Sequence, residues 1–297
     1  MKKVILSIII LIFLTGCGKD IITPPINNEI VYRALLIGIG DYVGSENDLP
    51  SPIYSVDRIH QIFSQCRFGL SDAEFFIINE LKDSDATKKA ILNEIVSTFS
   101  GADNNDVSYF YYTGHGGWLG TSYICPADYT IPIFSIFSLI NVNALENALS
   151  AIPGTKVVIL DTCHSGGFIG KSKEGITISE EELMSFNDEI INTFSQAQSK
   201  SLLTNNQYKV LTSCHYNQEC DEIIPIFGKP CGVFTMALCA GCGYFNYNYP
   251  ADINLDTEIN LQEAYFYVKN WVQSYFIELQ QDVQIYPVDS NYPIIEY

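Results

Sequence analysis

The chain has 297 residues and a formal net charge of −18, because 34 Asp and Glu residues stand against 16 Lys and Arg residues. This acidity argues against a protein that binds nucleic-acid phosphates, and it favours basic substrates or divalent cations as partners. The hydrophobic fraction of 47% is ample for one large α/β domain or two small ones.

The first 30 residues are typical of a targeting signal followed by a tether. Lys2 and Lys3 precede an apolar run at residues 4–14, and Leu14-Thr15-Gly16-Cys17 closes it. The run is too short to cross about 30 Å of hydrocarbon, so residues 1–16 are predicted to be a signal peptide. Its ending resembles a bacterial lipobox, which predicts acylation of Cys17 and a membrane-anchored lipoprotein of the bacterial cell envelope, periplasmic or surface-exposed. A plain secretory signal is the alternative, and residues 17–30 are predicted to be the tether.

From residue 31 onward, strand-like and helix-like segments alternate. Strands are predicted at residues 31–40, 75–78, 107–112, 156–161 and 208–213. Helices are predicted at residues 52–66, 86–99, 142–151, 232–239 and 261–279. Residues 123–133 are expected to form a hairpin or flap, and the polar residues 170–207 an insertion between two strands. The alternation predicts a mainly parallel sheet with helices on both faces.

Two of these strands end in chemically active residues. The apolar residues 157–160 are followed by Asp161, Thr162 and Cys163, and residues 107–112 are followed by Gly114 and His115. Ligands of open α/β sheets bind beyond the carboxyl ends of the strands. A thiol and an imidazole at neighbouring strand ends are the pair required for a thiolate nucleophile. The alternative is a buried, inert cysteine that happens to end a strand.

Residues 31–168, and more loosely the rest of the chain, resemble the caspase-like cysteine peptidases, above all metacaspases and their bacterial relatives. The resemblance rests on Tyr112-Thr113-Gly114-His115-Gly116 and on Asp161-Thr162-Cys163-His164-Ser165-Gly166. The histidine precedes the cysteine by about 50 residues, as in caspases. The resemblance implies one domain over residues 31–297. Its expected fold is a caspase-like three-layer sandwich whose central sheet has about six strands. Asp161-Thr162 stands in place of the animal caspases' Gln-Ala pair, which points away from cleavage after Asp.

The resemblance also implies roles for individual residues. Cys163 would attack the peptide carbonyl as a thiolate, and His115 would serve as its base and later protonate the leaving amine. The amides of Gly116 and Cys163 would form the oxyanion hole. No cofactor is required for this chemistry, and the expected partner is a peptide or protein substrate, with no nucleic acid.

In metacaspases the primary specificity pocket is acidic, and their pattern carries over onto Asp161, Asp57 and Thr113. Two converging carboxylates would favour Arg or Lys through charge-assisted hydrogen bonds. The alternative for Asp57 is an acid near a helix N-terminus that stabilises the helix dipole. The segment from Thr212 to Glu222 resembles the family's loop that lines the substrate cleft.

Residues 252–263 have the spacing of a calcium-binding loop. Oxygen-bearing side chains stand at loop positions 1, 3, 5, 7 and 12, namely Asp252, Asn254, Asp256, Glu258 and Glu263. Thr257 occupies the place where the sharp turn favours Gly. A structural calcium ion is one interpretation, and an acidic turn that caps the following helix is the other.

The remaining cysteines number seven once Cys17 and Cys163 are assigned, so a complete disulfide framework does not follow. Cys220 and Cys231 are the pair predicted to form a short bridge. The leading functional hypothesis is a lipid-anchored cysteine endopeptidase. The alternative hypothesis is a catalytically inactive caspase-like lipoprotein that binds other molecules at the surface.

Overall fold

The computed structural model describes residues 30–67, 76–118, 122–129, 138–162, 193, 207–214, 220–224, 228–276 and 281–297. Its strands are β1 Tyr32–Gly38, β2 Phe76–Lys82, β3 Val107–Thr113, β4 Gly116–Trp118, β5 Ser122–Ile124, β6 Ile140–Asn141, β7 Thr155–Asp161, β8 Tyr208–Thr212, β9 Glu222–Ile223, β10 Cys231–Gly232, β11 Glu258–Asn260, β12 Gln284–Tyr286 and β13 Pro293–Glu296. Its α-helices are α1 Pro52–Ser64, α2 Lys88–Thr98, α3 Val142–Ser150, α4 Val233–Gly241 and α5 Leu261–Tyr275.

Six strands form the central sheet, in the order β12-β8-β7-β3-β1-β2. Every neighbouring pair is parallel except β12 and β8, which are antiparallel. The carboxyl ends of β3 and β7 therefore lie side by side, with Thr113 paired to Asp161. This confirms the predicted α/β sandwich and places the two polar strand ends at one edge.

Strict alternation along the central strands builds two cores. On β3, Tyr109 and Tyr111 join one buried cluster, whereas Phe110 and Tyr112 join the other. Successive side chains of a strand point to opposite faces, so an all-apolar strand is buried on both faces. Helices α1, α4 and α5 contribute to the first cluster, and α2 and α3 contribute to the second.

The helix boundaries follow local capping. The side chain of Thr87 accepts a hydrogen bond from the amide of Ala90 and caps the N-terminus of α2. Asn260 and Glu263 form a reciprocal capping box at the start of α5.

The predicted flap contains β5, which pairs with β4 and β6 in a small antiparallel sheet, whereas residues 130–137 lie outside the described part.

The predicted disulfide between Cys220 and Cys231 is wrong, because neither cysteine is in a disulfide. In the β9–β10 pair Cys231 lies opposite Ile223, which leaves Cys220 three residues out of register. Sγ of Cys231 contacts Ser55 Oγ instead, and the Cys220 thiol lies 2.9 Å from Ser213 Oγ.

In the described part of the chain, no helix is long and apolar enough to cross a membrane. The predicted signal peptide and Cys17 lie outside the described residues.

Candidate active site

His115 follows β3 through a sharp backbone turn at Gly114. The φ angle of Gly114 is +149°, and a Cβ placed there would lie 2.6 Å from Oη of Tyr42. Only glycine accepts both the angle and the close approach. Gly114 is therefore required by the path of the chain as it leaves the sheet.

The backbone and the ring of His115 are both held by hydrogen bonds. The amide of His115 donates to Tyr42 Oη at 2.8 Å, and its carbonyl accepts from the amide of Cys125 at 3.0 Å and from Tyr112 Oη at 2.5 Å. Nε2 lies 2.8 Å from the carbonyl oxygen of Asn47. A carbonyl only accepts hydrogen bonds, so Nε2 carries a proton and Nδ1 is the basic nitrogen of the neutral ring.

Asp161 ends β7 beside Thr113, and its carboxylate is buried. Oδ2 accepts a 2.5 Å hydrogen bond from Thr235 Oγ1, which in turn lies 2.7 Å from Tyr111 Oη. A Cβ at residue 232 would overlap Oδ2, so Gly232 makes room for the carboxylate. Burial raises the pKa of Asp161 to about 7.

A small pocket of about 90 Å³ opens between these strand ends. Three carboxylate residues line it together with His115 and Thr113, namely Asp161, Asp221 and Glu222. No Lys or Arg is among the described residues of its wall. The pocket is thus suited to a cationic side chain, which carboxylates bind by charge-assisted hydrogen bonds.

Glu222 is fixed by the loop before α1. The amide of Ser51 donates to Oε1 of Glu222 at 3.1 Å, and the hydroxyl of Ser51 donates to the same oxygen. Burial raises the pKa of Glu222. The resemblance of the segment from Thr212 to Glu222 to a cleft-lining loop signalled Glu222 and the segment that contains Cys220 and Asp221. Ser51 was missed, because nothing in the sequence pattern marks it.

Asp57 does not line this pocket. Its carboxylate accepts a 2.7 Å hydrogen bond from Nζ of Lys82 and is exposed on α1. Pro52 of α1 lines the pocket. A helix rotates by about 100° per residue, so Asp57, five residues later, lies on a different face of α1 from Pro52. Ser55 of α1 also lies close to the pocket wall, because its hydroxyl accepts a hydrogen bond from the amide of Gly232 at 3.3 Å.

The catalytic residues predicted from the sequence are only partly described. Gly116 begins β4 directly after His115 and is paired with Ile124. Cys163 lies outside the described residues, two positions beyond Asp161.

The side chains of the predicted calcium loop form hydrogen bonds, most of them within the loop itself. The carboxylate of Asp252 accepts from the amides of Leu255 and Thr257 and from Tyr297 Oη. Oε2 of Glu263 accepts from the amide of Asn260. The other predicted ligands pair locally, Asn254 with Asp256 and Asp256 with the amide of Glu258.

Thr257 has a φ of +74°, the left-handed value that the turn demands. Within the described ranges, no group of three or more His, Cys, Asp or Glu side chains is placed to hold a metal ion. Calcium binding therefore stays a prediction from the sequence.

Comparison with known proteins supports a family assignment. The caspase-domain family matches residues 32–249. Metacaspase-4 of Arabidopsis thaliana is 28% identical over 172 residues, which cover 53% of this chain and 39% of that protein. Metacaspase-1 of Schizosaccharomyces pombe is 30% identical over 146 residues, covering 46% and 34%. The chain thus spans less than half the length of these curated relatives.

Solved structures agree in fold. Protein GSU0716 of Geobacter sulfurreducens superposes with a TM-score of 0.56 at 15% identity, over 90% of this chain and 99% of that one. Caspase-1 of Spodoptera frugiperda gives a TM-score of 0.50 at 12% identity, over 87% and 88%. Because its family match covers most of the sequence, the chain belongs to the caspase-domain family of peptidases.

Proposed function

We propose that this chain is a cysteine endopeptidase that hydrolyses peptide bonds after Arg or Lys, with Cys163 as nucleophile and His115 as base. The observation that carries the proposal is the pocket beside His115, whose described wall holds Asp161, Asp221 and Glu222 and no Lys or Arg. Family membership implies cysteine peptidase chemistry, and the pocket supports the choice of substrate.

The register of the sheet supports the pairing of nucleophile and base. Thr113 and Asp161 are hydrogen-bonded neighbours at the ends of parallel strands. His115 and Cys163 each follow these residues by two positions. Two side chains that leave adjacent strands at the same level are in a position to meet beyond the edge of the sheet.

The proposed chemistry uses the tautomer described above. Nδ1 of His115 takes the thiol proton of Cys163, the thiolate adds to the peptide carbonyl, and the imidazolium then protonates the leaving amine. Water hydrolyses the acyl-enzyme with the same imidazole as base. The amide groups of Gly116 and Cys163 would donate to the oxyanion.

A panel of four fluorogenic peptides that differ only in the residue before the cleaved bond tests the proposal. We expect turnover of the Arg and Lys peptides by the wild type and none by Cys163→Ala. Equal or faster turnover of the Asp or Asn peptide would overturn the specificity. Unchanged turnover in Cys163→Ala would overturn the assignment of the nucleophile.

We propose in addition that Cys17 is acylated and anchors the enzyme in the bacterial cell envelope. The lipobox-like Leu14-Thr15-Gly16-Cys17 behind a short apolar run supports this. Expressed in a bacterium, the wild type should partition into the detergent phase of a phase-separation assay. The Cys17→Ser variant should remain aqueous or unprocessed, and equal partitioning of mature wild type and variant would contradict the anchor.

A further inference from the structure

A second cleft, which the proposed peptidase chemistry does not use, lies between α1 and α4. It has a volume of about 550 Å³. We name it the Arg58 cleft and define it by its main lining residues, Tyr54, Arg58, Lys229, Met236, Tyr244 and Phe245.

In the described part of the chain, Arg58 is a buried cation that pairs with no carboxylate. Its side chain belongs to the wall of the cleft, and the residue is only 8% exposed. The guanidinium donates to the backbone carbonyls of Tyr54, Lys229 and Pro230 at 2.7–3.1 Å. Its buried Nε has no hydrogen-bond partner among the described residues. A buried charge whose described partners are all neutral backbone carbonyls favours binding of an anion.

A second cation stands at the mouth of the cleft. Nζ of Lys229 lies 4.6 Å from the centre of the Tyr54 ring, and the exposed Lys229 forms no ion pair in the described part of the chain. Asp57 also borders the cleft, but its charge is offset by its ion pair with Lys82. The cleft is therefore a positive site on a protein whose net charge is −18.

The remaining walls are apolar and aromatic. The guanidinium carbon of Arg58 lies 5.8 Å from the centre of the Tyr244 ring, and Phe245 is 48% exposed. Met236 completes the floor beside them. Walls of this kind favour a ligand with an apolar body next to its anionic group, rather than a bare inorganic anion.

The cleft shares two elements with the pocket beside His115. Pro52 and Gly232 line the pocket, whereas Tyr54 and Lys229 line the cleft. Two residues separate Lys229 from Gly232, so the chain between them spans at most about 10 Å. Three or four residues of an extended polypeptide therefore bridge the two sites.

We propose that the Arg58 cleft binds an acidic side chain of a polypeptide, with the apolar neighbours of that side chain packed on Tyr54, Tyr244 and Phe245. The carboxylate pairs with Arg58 and Lys229. This site is separate from the proposed catalytic residues, and its occupant has the charge opposite to that of the side chain taken by the first pocket.

Calorimetric titration of the full chain carrying Cys163→Ala tests the proposal without any cleavage. The probes are acetyl-Phe-Glu-Phe-Glu-amide and its uncharged isostere acetyl-Phe-Gln-Phe-Gln-amide, which lack a basic residue for the first pocket. We expect the acidic peptide to bind about tenfold more tightly or better, in line with charge-assisted hydrogen bonds. Equal affinities for the two peptides would overturn the proposal.

Matched lysine variants locate the binding. Lys229→Gln should weaken binding of the acidic peptide by about fivefold or more, because it removes one charge from the cleft. Lys269→Gln should leave the affinity unchanged, because Nζ of Lys269 lies 5.5 Å from the centre of the Tyr265 ring, a similar setting outside the cleft. Equal weakening by both variants would mean that the peptide is attracted by the general charge of the surface. That result would overturn the assignment of the binding site to the cleft.

Arg58 itself is not substituted, because its hydrogen bonds to three backbone carbonyls contribute to folding. A variant at Phe245 tests the cleft instead. Phe245→Ala removes an exposed wall of the cleft without touching a charge. It should weaken binding of the acidic peptide, and unchanged binding would contradict the aromatic wall. A failure of the proposed peptidase function would leave these binding results unaffected.

Discussion

Nε2 of His115 lies 2.8 Å from the carbonyl oxygen of Asn47, which belongs to the loop after β1 rather than to either motif. This contact sets the tautomer of the ring and leaves Nδ1 as its base. Because Asn47 supplies a backbone oxygen, the contact with His115 does not use its side chain, and no sequence pattern marks it.

Tyr42→Phe should lower both stability and activity. The substitution removes the hydroxyl that accepts from the amide of His115 and leaves that N–H without this acceptor. A buried unsatisfied donor costs about 1–3 kcal/mol, and the displaced imidazole should lower kcat/KM. Urea denaturation and turnover of an Arg peptide measure the two effects. Tyr247→Phe, at an exposed tyrosine, is the control, and equal behaviour of both variants would contradict the role of Tyr42.

Glu222→Gln should lower kcat/KM for Arg and Lys peptides by about 10- to 100-fold, because one charge-assisted hydrogen bond is worth about 1.5–3 kcal/mol. Asp57→Asn is the matched control, since Asp57 pairs with Lys82 away from the pocket. Its kcat/KM should stay near that of the wild type. A large loss in Asp57→Asn would return Asp57 to the substrate site.

The stability of the protein should depend on pH through Asp161. Burial raises its pKa in the folded state to about 7, against about 3.9 in an unfolded chain. Between these values the folded state binds more protons, so stability falls as pH rises from about 4 to about 7 and is then level. Urea denaturation of wild type and Asp161→Asn across this range measures the difference, and parallel curves would contradict the prediction. Turnover of an Arg peptide should rise over the upper part of this range as the carboxylate ionises.

Asn260→Ala should cost about 1 kcal/mol of stability by removing half of the capping box of α5. Urea denaturation measures the loss. Asn143→Ala, at an exposed position inside α3, is the control and should be nearly neutral. A neutral Asn260→Ala would show that the capping box adds nothing to stability.

Calcium binding to residues 252–263 is tested by calorimetric titration of the full chain with CaCl₂. The sequence spacing predicts a one-site isotherm that Asp256→Asn weakens, because the substitution removes one anionic ligand. Absence of heat would favour the alternative, an acidic turn whose side chains serve only the hydrogen bonds seen in the loop.

The alternation of strands and helices and the location of the polar strand ends were predictable from the sequence. Apolar β-branched runs such as residues 157–160 are buried on both faces of a sheet, so their pattern is local and strong. The position of Asp161 in the pocket wall follows from its place directly after such a run. Asp57 was predicted for the same pocket, but it lies on another face of α1. A helix turns by about 100° per residue, so residues two positions apart, such as Ser55 and Asp57, lie on different faces.

By itself, the sequence determined the five parallel strands of the central sheet, its two helical layers and the polar residues at the ends of β3 and β7. The antiparallel edge strand β12 was not predicted. These depend on short-range periodicity and on motifs of a few residues. Only the tertiary structure decided that Glu222 and Ser51 join Asp161, that Asn47 orients His115, and that Arg58 and Lys229 form a separate cationic cleft. Such contacts join residues that are distant in the chain, so they depend on packing between elements that no local pattern encodes.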